Sequence, residues 1–136
     1  MTEPSQLYDV VIIGAGPSGS IAAALLVKKG HRVLILEKSI FPRFSIGESL
    51  LPQSMEYIEK AGMLQAVQAV GFQIKNGAAF CRGKEYESFD FSEKISAGWG
   101  TTFQVQRANF DHILAQQAEE LGAVIRWGHT VTAFKY

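Results

Sequence analysis

The segment YDVVIIGAGPSGSIAAALLVKKGHRVLILEKS, residues 8–39, limits the fold of this chain more than any other. Val10–Ile13 is a short β-branched run ending at Gly14, and it reads as a strand buried on both faces. Residues 17–29 read as a helix: Pro17 suits a first turn, Lys28 and Lys29 sit at the negative end of the dipole, and Gly30 stops it. Residues 32–37 form a second apolar strand. Strand, helix and strand joined by links this short make a right-handed βαβ unit with parallel strands.

The turn GAGPSG sets Gly14, Gly16 and Gly19 at GxGxxG spacing, with Pro17 and Ser18 opening the helix. Gly14 permits the tight exit from the strand, Gly16 lets a pyrophosphate approach the backbone, and Gly19 lets the helix pack close to the strand. The helix N-terminus offers unpaired N–H groups and partial positive charge to phosphates. Glu37 ends the second strand, where a carboxylate can accept both hydroxyls of an adenosine ribose and would repel a 2′-phosphate. Together these features predict a dinucleotide site that disfavours NADP. The other reading is a glycine turn that serves packing alone. FAD and NAD share the adenosine diphosphate half, so the motif does not separate them.

The rest of the chain adds elements around this unit. Residues 40–53 form a loop broken by Pro42, Gly47 and Pro52; residues 54–61 and 63–70 read as short helices ended by Gly62 and Gly71. Residues 72–91 read as antiparallel hairpins broken by Gly77 and Gly83, and residues 101–106 as a further strand. Residues 109–121 are an amphipathic helix with Phe110, Ile113, Leu114, Ala118 and Leu121 on one stripe, Asn109 as N-cap and Gly122 as stop. Residues 123–127 give another strand; its residues 124–126 complete a three-strand parallel sheet with one edge open. Residues 130–136 begin one more strand, so the chain is expected to be the N-terminal portion of a longer protein.

Composition removes other classes. Formal net charge is zero, which argues against a nucleic-acid partner held by bulk electrostatics. The lone Cys81 excludes an intrachain disulfide and a CxxC metal pair, and a reducing cytoplasm is expected. It reads as a small core residue. His31, His112 and His129 lack ligand spacing, so no metal is expected. No apolar run is long enough to span a bilayer, and MTEPSQ carries Glu3 where an export signal carries a cation. Glu56 and Glu59 read as a solvated helix face, and Phe89 and Phe91 as core.

Four segments, DVVIIGAGPSGS, LEKSIFPRFSIGESLLP, GFQIKNGAAF and VQRANFDHILAQQAEELGA, resemble the N-terminal region of FAD enzymes of the p-hydroxybenzoate-hydroxylase-like superfamily. The branch they resemble holds flavin-dependent halogenases and geranylgeranyl-reductase-like oxidoreductases. The resemblance implies an α/β fold: a Rossmann-like FAD-binding parallel sheet with an inserted antiparallel β segment. Residues 1–71 and 105–136 would belong to the FAD-binding domain, and residues 72–104 would start the substrate domain.

The same resemblance implies that Gly14, Gly16, Pro17, Ser18 and Gly19 hold the FAD pyrophosphate and that Glu37, with Lys38 beside it, holds the ribose. Arg43 would lie near the adenosine and pyrophosphate; otherwise it is a solvated loop cation. Gly47, Glu48 and Ser49 would form a strap beside the flavin, although Glu48 could instead cap the following helix. Arg107 would face the phosphate and ribityl region, or form an ordinary surface pair with Asp111 four residues on. Lys75 would stand between flavin and substrate and hold hypohalous acid; otherwise it is an exposed strand lysine. The tryptophan-rich WxWxIP signature of the halogenases would lie beyond Tyr136, and Trp99 is not that signature.

The expected function is an FAD-dependent oxidoreductase using reduced flavin for oxygen-dependent chemistry, of monooxygenase or halogenase type, on a small organic molecule. A flavin reductase or NAD(P)H would supply electrons. The alternatives are a geranylgeranyl-reductase-like alkene reductase, or an NAD-linked or non-catalytic nucleotide-binding module.

Overall fold

The structure is a computed structural model that describes residues 7–135; Glu3 and the rest of residues 1–6, and Tyr136, lie outside the described residues. Three parallel strands form the central sheet in the order β1 (Val10–Ile13), β2 (Val33–Glu37) and β7 (Val124–Trp127). β1 and β2 run in register from Val10↔Val33 to Ile13↔Leu36, and β2 and β7 from Leu34↔Val124 to Glu37↔Trp127. Between β1 and β2 lies α1 (Pro17–Lys28). Gly16 is its N-cap and Pro17 occupies the first turn; Gly30, at φ 88°, lies just past its end. α2 (Pro52–Ala61) packs against α1, α4 (Arg107–Leu121) packs against α1, and α3 (Leu64–Ala69) packs against α4.

The sheet buries one face. Ile12, Ile35 and Ile125 form a row across the three strands and join the core with Ala23, Ala24, Phe110, Leu114 and Ala118. The next row, Val11, Leu34 and Val124, points the other way, and there Val11 is 53% exposed. The expectation that β1 is buried on both faces therefore fails. Only the central strand β2 is covered on both, because the helices supply the core of one face of the sheet.

Between α3 and β7 the chain forms two antiparallel ribbons. β3 (Gln73–Lys75) pairs with β6 (Thr102–Gln104), and β4 (Gly77–Arg82) pairs with β5 (Glu85–Asp90) through a turn at Gly83. The α/β class with an antiparallel insertion is what the sequence led us to expect. Several details differ. Residues 128–135 contain no strand, against the expectation for 130–136. Cys81 is exposed, not core, because the β4–β5 ribbon has no layer over it, and Phe89 is half exposed for the same reason while Phe91 is buried. α4 begins at Arg107 with Gln106 as its N-cap, so Asn109 lies inside the helix. No helix among the described residues is long and apolar enough to cross a membrane.

Candidate functional site

The glycine turn sits at the end of β1, over the sheet edge where β2 also ends. Gly14 has φ 97°, a backbone conformation that L side chains rarely adopt. A Cβ on Gly19 would strike the Gly14 carbonyl oxygen, so close packing of helix on turn requires a glycine there. Gly16 is different: its backbone is ordinary (φ −65°, ψ −179°), and a Cβ would meet only Arg43 Nη2, at 3.9 Å. The gap a methyl would fill is therefore open space between the helix N-terminus and a guanidinium. Ser18 is exposed in the first turn of α1, and that turn contains no acidic residue.

Glu37 is only 5% exposed. The Ala15 N–H donates to its Oε2 at 2.7 Å, and the Ser39 N–H donates to its Oε1 at 2.8 Å. The carboxylate thus ties the glycine turn to the loop after β2 and holds a fixed negative group beside the turn. Each oxygen retains a lone pair for another donor. Lys38 is exposed next to it.

Arg43 and Arg107 converge on Asp111, which the sequence suggested only as an exposed partner. Asp111 is 1% exposed. Arg43 Nη1 donates to its Oδ2 at 2.7 Å; Arg107 Nε donates to Oδ1 at 2.7 Å and Nη2 to Oδ2 at 3.0 Å. The Phe41 ring packs 4.5 Å from the Arg43 guanidinium. Hydrogen bonding to Asp111 raises the pKa of Arg107 above its ordinary value. Arg107 Nη1 also donates to the Ile46 carbonyl at 2.7 Å and the Gly47 carbonyl at 3.3 Å. The signal for Asp111 was available: it lies on the buried arc of α4 with Ala115 and Ala118, where a lone carboxylate requires partners.

The GES segment runs along β6 as an added strand. Val105 N–H donates to the Glu48 carbonyl at 2.8 Å, Leu50 N–H donates to the Phe103 carbonyl at 3.2 Å, and Ser49 bridges Gln104. Gly47 has φ 95°, and a Cβ there would lie 3.0 Å from Arg107 Nη1. The α2 N-cap is Leu51 without a side-chain cap, so Glu48 does not cap that helix. Lys75 reaches across β6 to the same segment. Its Nζ donates to Ser49 Oγ at 2.6 Å and to the Leu50 carbonyl at 3.0 Å, and lies 5.1 Å from the Phe91 ring centroid. Leu50 also lines a cleft of about 340 Å³ whose other wall includes Pro17 and Ser18. Among the described residues, no group of three or more His, Cys, Asp or Glu is placed to hold a metal.

A βαβ unit with an open glycine turn, a fixed carboxylate at the end of β2 and a guanidinium facing the turn defines a dinucleotide-cofactor module. Residues 7–136 match the family model described as FAD binding domain, and the chain belongs to that family. FAD is its cofactor. The chain is 38% identical over 127 residues to a tryptophan 2-halogenase of Chondromyces crocatus, covering 93% of this chain and 24% of that protein. A crystal structure of a flavoprotein/dehydrogenase from Cytophaga hutchinsonii superposes with TM-score 0.89 at 52% identity, covering 94% of this chain and 32% of that one. The myxobacterial chondrochloren halogenase, an FAD-dependent halogenase, superposes with TM-score 0.80 at 36% identity, covering 89% and 28%. The chain thus spans about a quarter of the length of that curated relative.

Proposed function

We propose that this chain is the FAD-holding part of an enzyme that uses reduced flavin and oxygen to halogenate a small organic substrate. The observation that carries this reading is the Lys75 ammonium anchored on Ser49 and Leu50 of the GES strap. An ammonium has three donors, and two are engaged here, which leaves one for a halogen oxyacid or a substrate. Bound FAD, once reduced by its electron source, would supply the two electrons that reduce oxygen.

The chain's own residues would do the rest. Gly14, Gly16, Pro17, Ser18 and Gly19 would hold the pyrophosphate, and Glu37, with Lys38 beside it, the ribose. Arg43 would neutralise phosphate charge. Gly47, Glu48 and Ser49 would run beside the flavin, and Arg107 would face the cofactor's phosphate and ribityl region while holding that strap through Ile46 and Gly47. Residues 1–71 and 105–136 would make up the FAD-binding part, and residues 72–104 would start the substrate side. The Chondromyces relative, named for tryptophan, suggests an electron-rich ring as substrate. A flavin reductase or NAD(P)H would be the electron source. An exposed free thiol at Cys81 suits a reducing cytoplasm.

The test supplies the full-length gene product with FAD, a flavin reductase, NADH, oxygen, bromide or chloride, and a panel of indoles, pyrroles and phenols. Halide incorporation that Lys75→Ala abolishes, with reoxidation of the reduced flavin retained, is expected. Halogenation by Lys75→Ala would remove Lys75 from the mechanism. The Cytophaga flavoprotein/dehydrogenase favours a second reading, redox turnover independent of halide; substrate conversion that is indifferent to halide would support it.

A further inference from the structure

Asp111 belongs to none of the cofactor contacts proposed above, yet two of them meet on it. Two cations share this one carboxylate, so the cluster keeps a net positive charge beside the α1 N-terminus, as an anion site requires. Each arginine leads to a different part of the site. Arg43 extends to the glycine turn, where its Nη2 faces the open position at Gly16. Arg107 extends to the strap, where its Nη1 donates to the Ile46 and Gly47 carbonyls on either side of Gly47. A guanidinium is a planar fork, and two bonds to one carboxylate fix its plane as well as its position. Arg107 makes such a pair through Nε and Nη2, which aims Nη1 at the strap. Because Oδ2 accepts from both arginines, a shift of one displaces the partner of the other.

We propose that Asp111 is the positioning residue that couples the phosphate anchor to the strap: it aims Arg43 at the glycine turn and, through Arg107, pins the strap at Gly47. It touches neither cofactor nor substrate. This inference rests on the reading that Arg43 faces the pyrophosphate and that the strap lies beside the flavin. Cofactor affinity and flavin environment then depend on one buried carboxylate.

Two readouts on the full-length gene product test it: FAD affinity by fluorescence titration, and the visible absorption band of bound flavin. Arg43→Lys should weaken FAD binding most and, through Asp111, shift the band to a smaller degree. Arg107→Lys should alter the band more than the affinity. Asp111→Asn, which keeps the shape and removes the charge, should do both, with affinity lower by roughly tenfold or more, and Asp111→Glu should recover part of each. A merely structural role would lower the unfolding temperature without moving the band of the FAD that remains bound. An Asp111→Asn protein that binds FAD within about twofold of wild type, or that changes only one readout, overturns the proposal. Should Asp111→Asn not fold, the two arginine variants decide: movement of both readouts by each variant supports coupling, and effects confined to one readout in each overturn it. Failure of the underlying cofactor reading is separate. In that case Gly16→Ala and Arg43→Ala also leave FAD affinity unchanged, whereas a silent Asp111→Asn beside weakened Gly16→Ala and Arg43→Ala removes the coupling alone.

Discussion

At the scale of single residues, the three turn glycines do different work, and substitution separates them. Gly16→Ala has room and an ordinary backbone conformation, so the protein should fold with a stability loss of about 1 kcal/mol or less. Under the proposed reading that this open space takes the FAD phosphate, the added methyl should lower FAD affinity by roughly a hundredfold; equilibrium unfolding and FAD titration on one preparation check both halves. Gly19→Ala has no such room, and its Cβ would strike the Gly14 carbonyl, so it should destabilise the fold itself by about 1–3 kcal/mol or more. Asp9 makes a different kind of prediction. Hydrogen bonds from the Arg32 side chain and backbone hold its carboxyl at about 2, below the usual 3.8. A depressed carboxyl stabilises the fold fully above its unfolded value, and that contribution disappears as pH falls through the folded value. The stability difference between wild type and Asp9→Asn should therefore shrink as pH is lowered from about 6 towards 3, as followed by urea unfolding. The turn glycines and Glu37 were legible in the sequence because their spacing is set by backbone sterics. Asp111 was misread as a surface partner: its i,i+4 spacing from Arg107 says nothing of burial, and its place on the buried arc of α4 does.

Among elements, α1 shows how side-chain size sets the site. Ala23 and Ala24 are fully buried where α1 packs, and small residues there let the helix N-terminus reach the turn. Ala24→Leu should cost about 1–3 kcal/mol by overpacking, seen as a lower urea midpoint with an unchanged slope. Helices and parallel strands were legible because their periodic apolar residues, proline starts and glycine stops act locally. Boundaries moved where no local signal dominates: α4 starts at Arg107 after the extended Gln106, whose side chain makes no capping bond. The ribbons were legible as antiparallel strands but not in their partners. β3 pairs with β6, far along the chain, and only β4 and β5 form the expected local hairpin. Cys81 and Phe89 looked like core by residue type, and their exposure depends on what does or does not lie above a ribbon, which no short window of sequence encodes.

Across the whole molecule, the nucleotide module and the antiparallel ribbons are joined by the strap, which is hydrogen-bonded to β6 on one side, held by Arg107 at its start and approached by Lys75. The sequence marked this loop through Gly47 and two prolines, and it was expected to be a loop; that it completes a β layer follows from long-range pairing. Because the strap behaves as a strand, its mobility should be cooperative rather than graded. The Leu50 and Val105 amide hydrogens, one donating out of the strap and one donating into it, should exchange with solvent at closely matched rates. Releasing Arg107 from Gly47 by Arg107→Lys should accelerate both together, as read by hydrogen–deuterium exchange, while Ile12 and Ile35 in the parallel sheet stay protected. The strap would then open and close as a single cooperative unit, on a clock set by two backbone hydrogen bonds.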